Sequence, residues 1–344
     1  MRKLLLPLSG GAATVVLMGM ALRGADLGSV AQSLSAADLT VIPAVIIVTL
    51  LELLFRSLRW KLLLSPLRKV RLRDTFRLES AALALSNILP LRLGEAVRAA
   101  YGASIFGLPA STVFSSMLVE RAMDAAVLAL LFLLAAASGA APPVLTAGKW
   151  AWLLAASLTG GLALLALSGN LKESRLFRAF AEGFPRLSSA AAGLSDGAAA
   201  LRSPGTAAAV CGLAALQWLM DALNLYLIGL AFHLGALIDP GRAVVLLFAG
   251  ALAVSAPGVP GYFGNFEFAT AGTAASWGVP KAAALAFAAF AHVLNYLIFT
   301  GVGLVFVYGM GQSLGTVWRS FAAGGQAAEP AAAPGREGER KNAF

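Results

Sequence analysis

Residues 87 to 98, Asn-Ile-Leu-Pro-Leu-Arg-Leu-Gly-Glu-Ala-Val-Arg, decide how the rest of the chain is read. The flanking sequence is apolar enough to enter a bilayer, yet this stretch holds Pro90, Arg92, Gly94, Glu95 and Arg98. In hydrocarbon a broken helix leaves backbone N–H and C=O groups without partners. A break therefore survives only inside protein or beside a water-filled cavity. Ionisable groups at that depth are costly too, and point to function by default.

Working outward, the whole 344-residue chain is 59% hydrophobic and 12% charged, against roughly a quarter charged in soluble domains. Apolar runs recur, long enough to cross the roughly 30 Å hydrocarbon layer as helices. The fold class expected is an all-α polytopic membrane protein with about six spanning helices and two re-entrant broken hairpins. The net charge of +9 is a topology signal rather than a nucleic-acid footprint. Most of the 26 Lys and Arg fall in Arg2–Lys3, Lys61–Arg77, Lys172–Arg202 and Arg319–Lys341. These alternate with segments holding only Arg23, Lys149, Arg242 and Lys281, which is the positive-inside asymmetry. It places both termini in the cytoplasm. The lone Cys211 can form no internal disulfide and reads as a small packing or lipid-facing residue.

In chain order, the expected spans are Leu4–Leu22, Leu39–Leu64, Ser111–Ala137, Trp150–Leu167, Ala207–Ala231 and Ala282–Met310. A short outer loop with Asp26 and Asp38 follows the first. The second carries Glu52, Arg56 and Arg59 on one face, with Trp60 and Lys61 marking the interface. Residues 170–205 read as a polar cytoplasmic connection, and 322–344 as a disordered cytoplasmic tail after a membrane domain over 1–321.

A second apolar run, Val244–Ala275, is broken at Ser255–Glu267 by Pro257, Gly258, Pro260, Gly261 and Gly264. Both broken runs sit between two spans, within residues 39–137 and 207–310, and the charge-derived topology inverts one unit relative to the other. That is the pattern of an inverted repeat. Gly107-Leu-Pro109 recurs as Gly278-Val-Pro280, and at the same offset Arg121 falls on His292 and Asp124 on Asn295.

Two hairpin tips meeting from opposite faces would present helix N-termini, which favour anions such as phosphate. Arg92 and Arg98, with Arg56 and Arg59, supply bidentate phosphate contacts in this reading, and Asn87 lies beside them. For Arg56 and Arg59 the competing reading is snorkelling toward headgroups. Glu95, Glu120, Asp124, Asp221 and Glu267 would partner the arginines or take up protons. The competing reading is that Glu120, Arg121 and Asp124 simply lock helices together. His233 and His292 lack partners at metal-ligand spacing and read as packed or hydrogen-bonded. No nucleotide-binding loop or hydrolase motif occurs, so neither cofactor nor metal nor enzyme activity is expected.

Four motifs then stand in order: R-x-x-R-W from Arg56, N-x-x-P-x-R-x-G-E-x-x-R from Asn87, E-R-x-x-D from Glu120 and P-G-x-P-G-x-x-G-x-x-E from Pro257. This order resembles the lysylphosphatidylglycerol synthase transmembrane region, a flippase-like family that includes the membrane half of the multiple peptide resistance factor. The resemblance implies a lipid-translocating or lipid-binding domain with two re-entrant hairpins. In bifunctional relatives a soluble aminoacyl-transferase domain follows; the short tail here leads us to expect no lysine transfer.

The leading expectation is a flippase-like carrier for a polar or anionic lipid in a bacterial inner membrane. A membrane enzyme or accessory subunit acting on polyprenyl-phosphate lipids, with Glu95 and Glu267 as acid and base, is the rival. A lipid-sensing partner of an envelope-lipid synthase is the third reading.

Overall fold

A computed structural model describes residues 14–24, 26–89, 93–142, 145, 196–255, 259–311 and 315, and among these the regular structure is helical, with no strand. The helices are α1 (Thr14–Leu22), α2 (Leu27–Ser35), α3 (Ile42–Leu64), α4 (Leu72–Ile88) and α5 (Leu93–Phe106). The chain continues with α6 (Ala110–Ala137), α7 (Pro204–Ala231), α8 (Pro240–Ser255), α9 (Asn265–Ser276) and α10 (Lys281–Gly309). Leu39–Leu64, α7 and α10 are long and apolar enough to cross a bilayer. The 28 residues of α6 span about 42 Å at 1.5 Å per residue, so length suits it too, although three charges interrupt it.

Both expected breaks are present. α4 stops at Ile88 and α5 starts at Leu93; α8 stops at Ser255 and α9 starts at Asn265. Each pair folds back on itself, and glycine is what permits the approach. A Cβ on Gly94 would lie 1.9 Å from the Ala82 carbonyl oxygen, and one on Gly250 would lie 2.7 Å from the Phe266 ring. The second break answers its own exposed backbone groups. Asn265 Nδ2 donates to the Ala253 carbonyl at 3.2 Å, and Gly264 N–H donates to Glu267 Oε2 at 2.7 Å. Gly261 and Gly264 take φ values of 77° and 89° there, conformations that carry little cost without a Cβ.

The packing partners repeat between the halves. α4 lies along α10 as α6 lies along α8; α5 meets α6 as α9 meets α10; α3 meets α4 as α7 meets α8. Phe76 sets its ring edge-on to Phe306 across α4 and α10 at 5.6 Å, and Phe132 stacks on Phe248 across α6 and α8 at 4.0 Å. Between the halves α3 and α7 run antiparallel. The Asp38 N–H reaches the Ala231 carbonyl, and Asn224 Nδ2 donates to Thr49 Oγ1 at 3.0 Å.

Two expectations change. The segment read as an outer loop from Asp26 to Asp38 contains α2, which Asp26 caps by accepting from Gly28 N and Ser29 N at 3.2 and 3.0 Å. A Asp-led start was the available signal, and α2 packs on α10. The basic stretch 65–77, read as a loop, is helical from Leu72. The expected span Trp150–Leu167, most of the 170–205 connection, the start of the first span and the 322–344 tail lie outside the described residues.

Candidate functional site

Spacing assembles the first cluster. Glu52, Arg56 and Arg59 share a face of α3, and Glu120 and Asp124, one turn apart, share a face of α6. Hairpin α4–α5 closes against both, adding Glu79 and Arg98. Arg59 donates to Glu120 at 2.9 Å and to Asp124, and Arg98 bridges Glu120 and Glu79, each at 2.7 Å. Arg56 lies 3.4 Å from Glu52 and 3.9 Å from Glu79. Arg59 and Glu120 are wholly buried, so these charges are compensated within the protein, as burial demands.

One edge of the cluster is open. Arg121 donates to Glu95 at 2.7 Å and reaches Asp124 at 3.4 Å, and its side chain remains 39% exposed, that of Glu95 28%. From α7, Trp218 Nε1 donates to Asp124 at 3.2 Å. Asp221 of α7 lies beside Glu52. The register that sets Asn224 on Thr49 and Asp221 beside Glu52 brings Gln217 level with Arg56. Gln217 is wholly buried, and neither of its amide atoms has a hydrogen-bond partner among the described residues. The carboxylates of this cluster outnumber its guanidiniums.

The second cluster is smaller. His292 Nδ1 pairs with Glu267 Oε1 at 2.7 Å, while the other Glu267 oxygen accepts from Gly264 N–H. Phe263 stacks on the imidazole at 4.7 Å and Phe266 tilts against it at 4.9 Å. Asn295 sits 3.4 Å from Thr49, and Asn87 Nδ2 donates to Thr300 at 3.1 Å, tying α10 to α3 and to the end of α4.

The sequence-expected residues therefore divide. Arg56, Arg59, Glu95, Arg98, Glu120, Arg121, Asp124 and Asp221 come together; Glu267 and His292 form a separate pair; Asn87 and Asn295 make the tie between them. Arg98 and Glu267 do not meet. Pro90, Arg92, Pro257 and Gly258 lie outside the described residues.

Snorkelling does not describe Arg56 and Arg59, because both point inward to carboxylates. Trp60, expected at the interface, is fully buried. It donates to Ser116 Oγ at 3.2 Å, and the Arg98 guanidinium lies 3.9 Å from the centre of its ring. His233, expected to be packed or hydrogen-bonded, is exposed in a turn at φ 57°. Sequence reasoning missed Glu79, Trp218 and Gln217. Glu79 had a signal, an acid in the run leading into the break, but only its partner Arg98 gives that acid meaning.

Residues 7–303 match the protein family described as the lysylphosphatidylglycerol synthase TM region. The chain is similar to a UPF0104 membrane protein of Methanothermobacter thermautotrophicus, 26% identical over 289 residues that cover 78% of this chain and 83% of that protein. No solved structure matches it.

Proposed function

We propose a lipid-handling role from the premise that the chain belongs to the lysylphosphatidylglycerol synthase TM region family, a family of membrane proteins. The finer reading is a flippase-like carrier or binder of a lipid with an anionic or polar headgroup. The headgroup is held between the two hairpins while its chains stay in the bilayer.

The observation that carries this reading is the open edge of an otherwise sealed cluster. Arg121 and Glu95 stand partly exposed beside the first break, backed by Asp124 and Trp218. They offer both signs of charge to a headgroup at a depth where neither is cheap.

Two further features support it. An apolar cavity of about 460 Å³ between Leu54, Phe76 and Phe306 carries Arg73 and Arg77 on its wall, a fit for an acyl chain ending in an acidic headgroup. The matching helix contacts and the similar Gly-x-Pro geometry also favour two inverted repeats. Gly107 and Gly278 both take positive φ, and Pro109 and Pro280 lead α6 and α10 at φ/ψ of −58°/139° and −54°/136°. In such a pair, rocking of one half on the other along α3 and α7 exposes a central site to alternate leaflets.

The test is leaflet transfer of a fluorescent acidic phospholipid in proteoliposomes, comparing the protein with Arg121→Gln and Glu267→Gln. Both variants slow transfer in this reading. Transfer no faster than in protein-free vesicles, or equal rates in all three proteins, removes it.

A further inference from the structure

The two hairpins carry the same device built from different chemistry. In the first, Glu95 stands in the opening turn of the returning arm α5 and pairs with Arg121 of the following helix at 2.7 Å. In the second, Glu267 stands in the opening turn of α9 and pairs with His292 of the following helix at 2.7 Å. Arg121 and His292 occupy matching places after the two Gly-x-Pro turns. Guanidinium keeps its charge at every physiological pH, whereas imidazole is the side chain whose charge changes close to neutrality.

We propose that His292 and Glu267 form a proton-binding site that latches the second hairpin, while the Arg121–Glu95 pair holds the first at any pH. The proton is the ligand. Bound as the second proton of the imidazole ring, it makes an imidazolium whose ion pair with the carboxylate fixes α9 to α10. Lost, it leaves a weaker hydrogen bond and a carboxylate still answering Gly264 N–H, so the second break loosens. A proton gradient would then bias one half of the molecule and not the other, which is the asymmetry a directional carrier needs.

The surroundings suit a switch. The Glu267 side chain is 3% exposed and that of His292 13%, so screening by solvent is weak but the imidazole is reachable. Phe263 and Phe266 hold the ring in place, and Phe263 in turn packs on Tyr296 at 5.4 Å. Met18 and the Thr14 carbonyl of α1 cover Gly264, and Val259 N–H donates to Thr14 Oγ1 at 3.2 Å, so α1 bears on the same turn. Tyr262 lies in that turn as well. Of the helices packed on α9 and α10, α8 brings only Arg242, set against Asp239. α2 brings no ionisable side chain. α3 presents Glu52, Arg56 and Arg59, and α7 Asp221, to the first cluster; α4 sends Glu79 there while Arg73 and Arg77 line the cavity beside Phe306. Lys61 of α3, Asp74 of α4, and Cys211 and Tyr226 of α7 are the remaining ionisable groups of these helices. No further ionic partner of His292 is seen among the described residues.

The coupling rests on the carrier reading, but the latch is measurable without it. Hydrogen exchange over residues 259–276 in detergent, corrected for intrinsic rate, is compared at about pH 6 and pH 8, either side of the usual imidazole range. The expected protection is roughly tenfold greater at the lower pH, because a hydrogen bond between two charged groups holds more strongly than one from a neutral donor. In His292→Arg, which copies the first hairpin, and in His292→Gln the difference falls to about twofold or less. A pH difference that persists in both variants overturns the latch, as does its absence in the unaltered protein. In proteoliposomes, transfer that depends on pH in the unaltered protein and not in His292→Arg supports coupling. If protection follows the latch but no lipid moves at either pH, the carrier reading fails and the proton site stands.

Discussion

Replacing Glu120 by Gln should be among the most damaging conservative changes in this protein. Glu120 is fully buried and faces two guanidiniums, Arg59 at 2.9 Å and Arg98 at 2.7 Å. Removing one partner of a buried ion pair costs about 3–5 kcal/mol, because a charge is left in low dielectric without compensation. Here Arg59 keeps Asp124 and Arg98 keeps Glu79, so the lower end applies, about 3 kcal/mol. At roughly 2–4 °C per kcal/mol for a chain of a few hundred residues, the thermal midpoint falls by about 6–12 °C. Tryptophan fluorescence during heating, in one detergent, measures it.

Glu95→Gln is the comparison. Its pair with Arg121 is partly exposed on both sides, and pairs of that kind contribute about 0–1 kcal/mol. Equal losses from the two substitutions, or a shift under about 2 °C for Glu120→Gln, would refute the argument that burial sets the worth of these charges.

Close helix approach makes a second prediction. Gly94→Ala and Gly303→Ala each push a Cβ against fixed backbone, 1.9 Å from the Ala82 oxygen and 2.1 Å from the Ser80 oxygen. Each should destabilise by about 1–3 kcal/mol, while Gly301→Ala, with open space around it inside α10, should leave stability unchanged or raise it by about 0.5–1 kcal/mol in the same melting assay. At the start of α3, hydrogen bonds from Thr40 hold the Asp38 carboxyl below its usual range. A depressed folded-state value means that its stabilising contribution is complete above the unfolded value of about 3.9 and is lost as pH falls through the folded one. Asp38→Asn should therefore remove part of the loss of thermal midpoint seen on acidifying from pH 6 toward pH 3, leaving the neutral midpoint only slightly lower.

The breaks were legible because proline and glycine in an apolar run have few other meanings. Gly94 and Gly264 sit where the sequence puts them, and α3, α6, α7 and α10 begin and end within a few residues of the expected bounds. Charge periodicity put Glu52, Arg56 and Arg59 on one face but could not say what that face meets. The acidic partners come from α4 and α6, and Asp221 comes from the other half of the chain. Glu79 stayed unnoticed for the same reason, since an acid within a helix gains its role only from the arginine brought to it by a fold-back.

The sequence by itself determined a helical membrane protein, its family and the location of two interruptions, because hydrophobic run length, backbone satisfaction and glycine conformation are local properties. Which arginine answers which carboxylate, and that one hairpin is pinned by guanidinium and the other by imidazole, was decided only by tertiary structure. Ion pairs act through a few ångströms of space, and the ion-paired residues lie up to 65 positions apart along the chain, while the hydrogen-bonded Thr49 and Asn295 lie 246 apart.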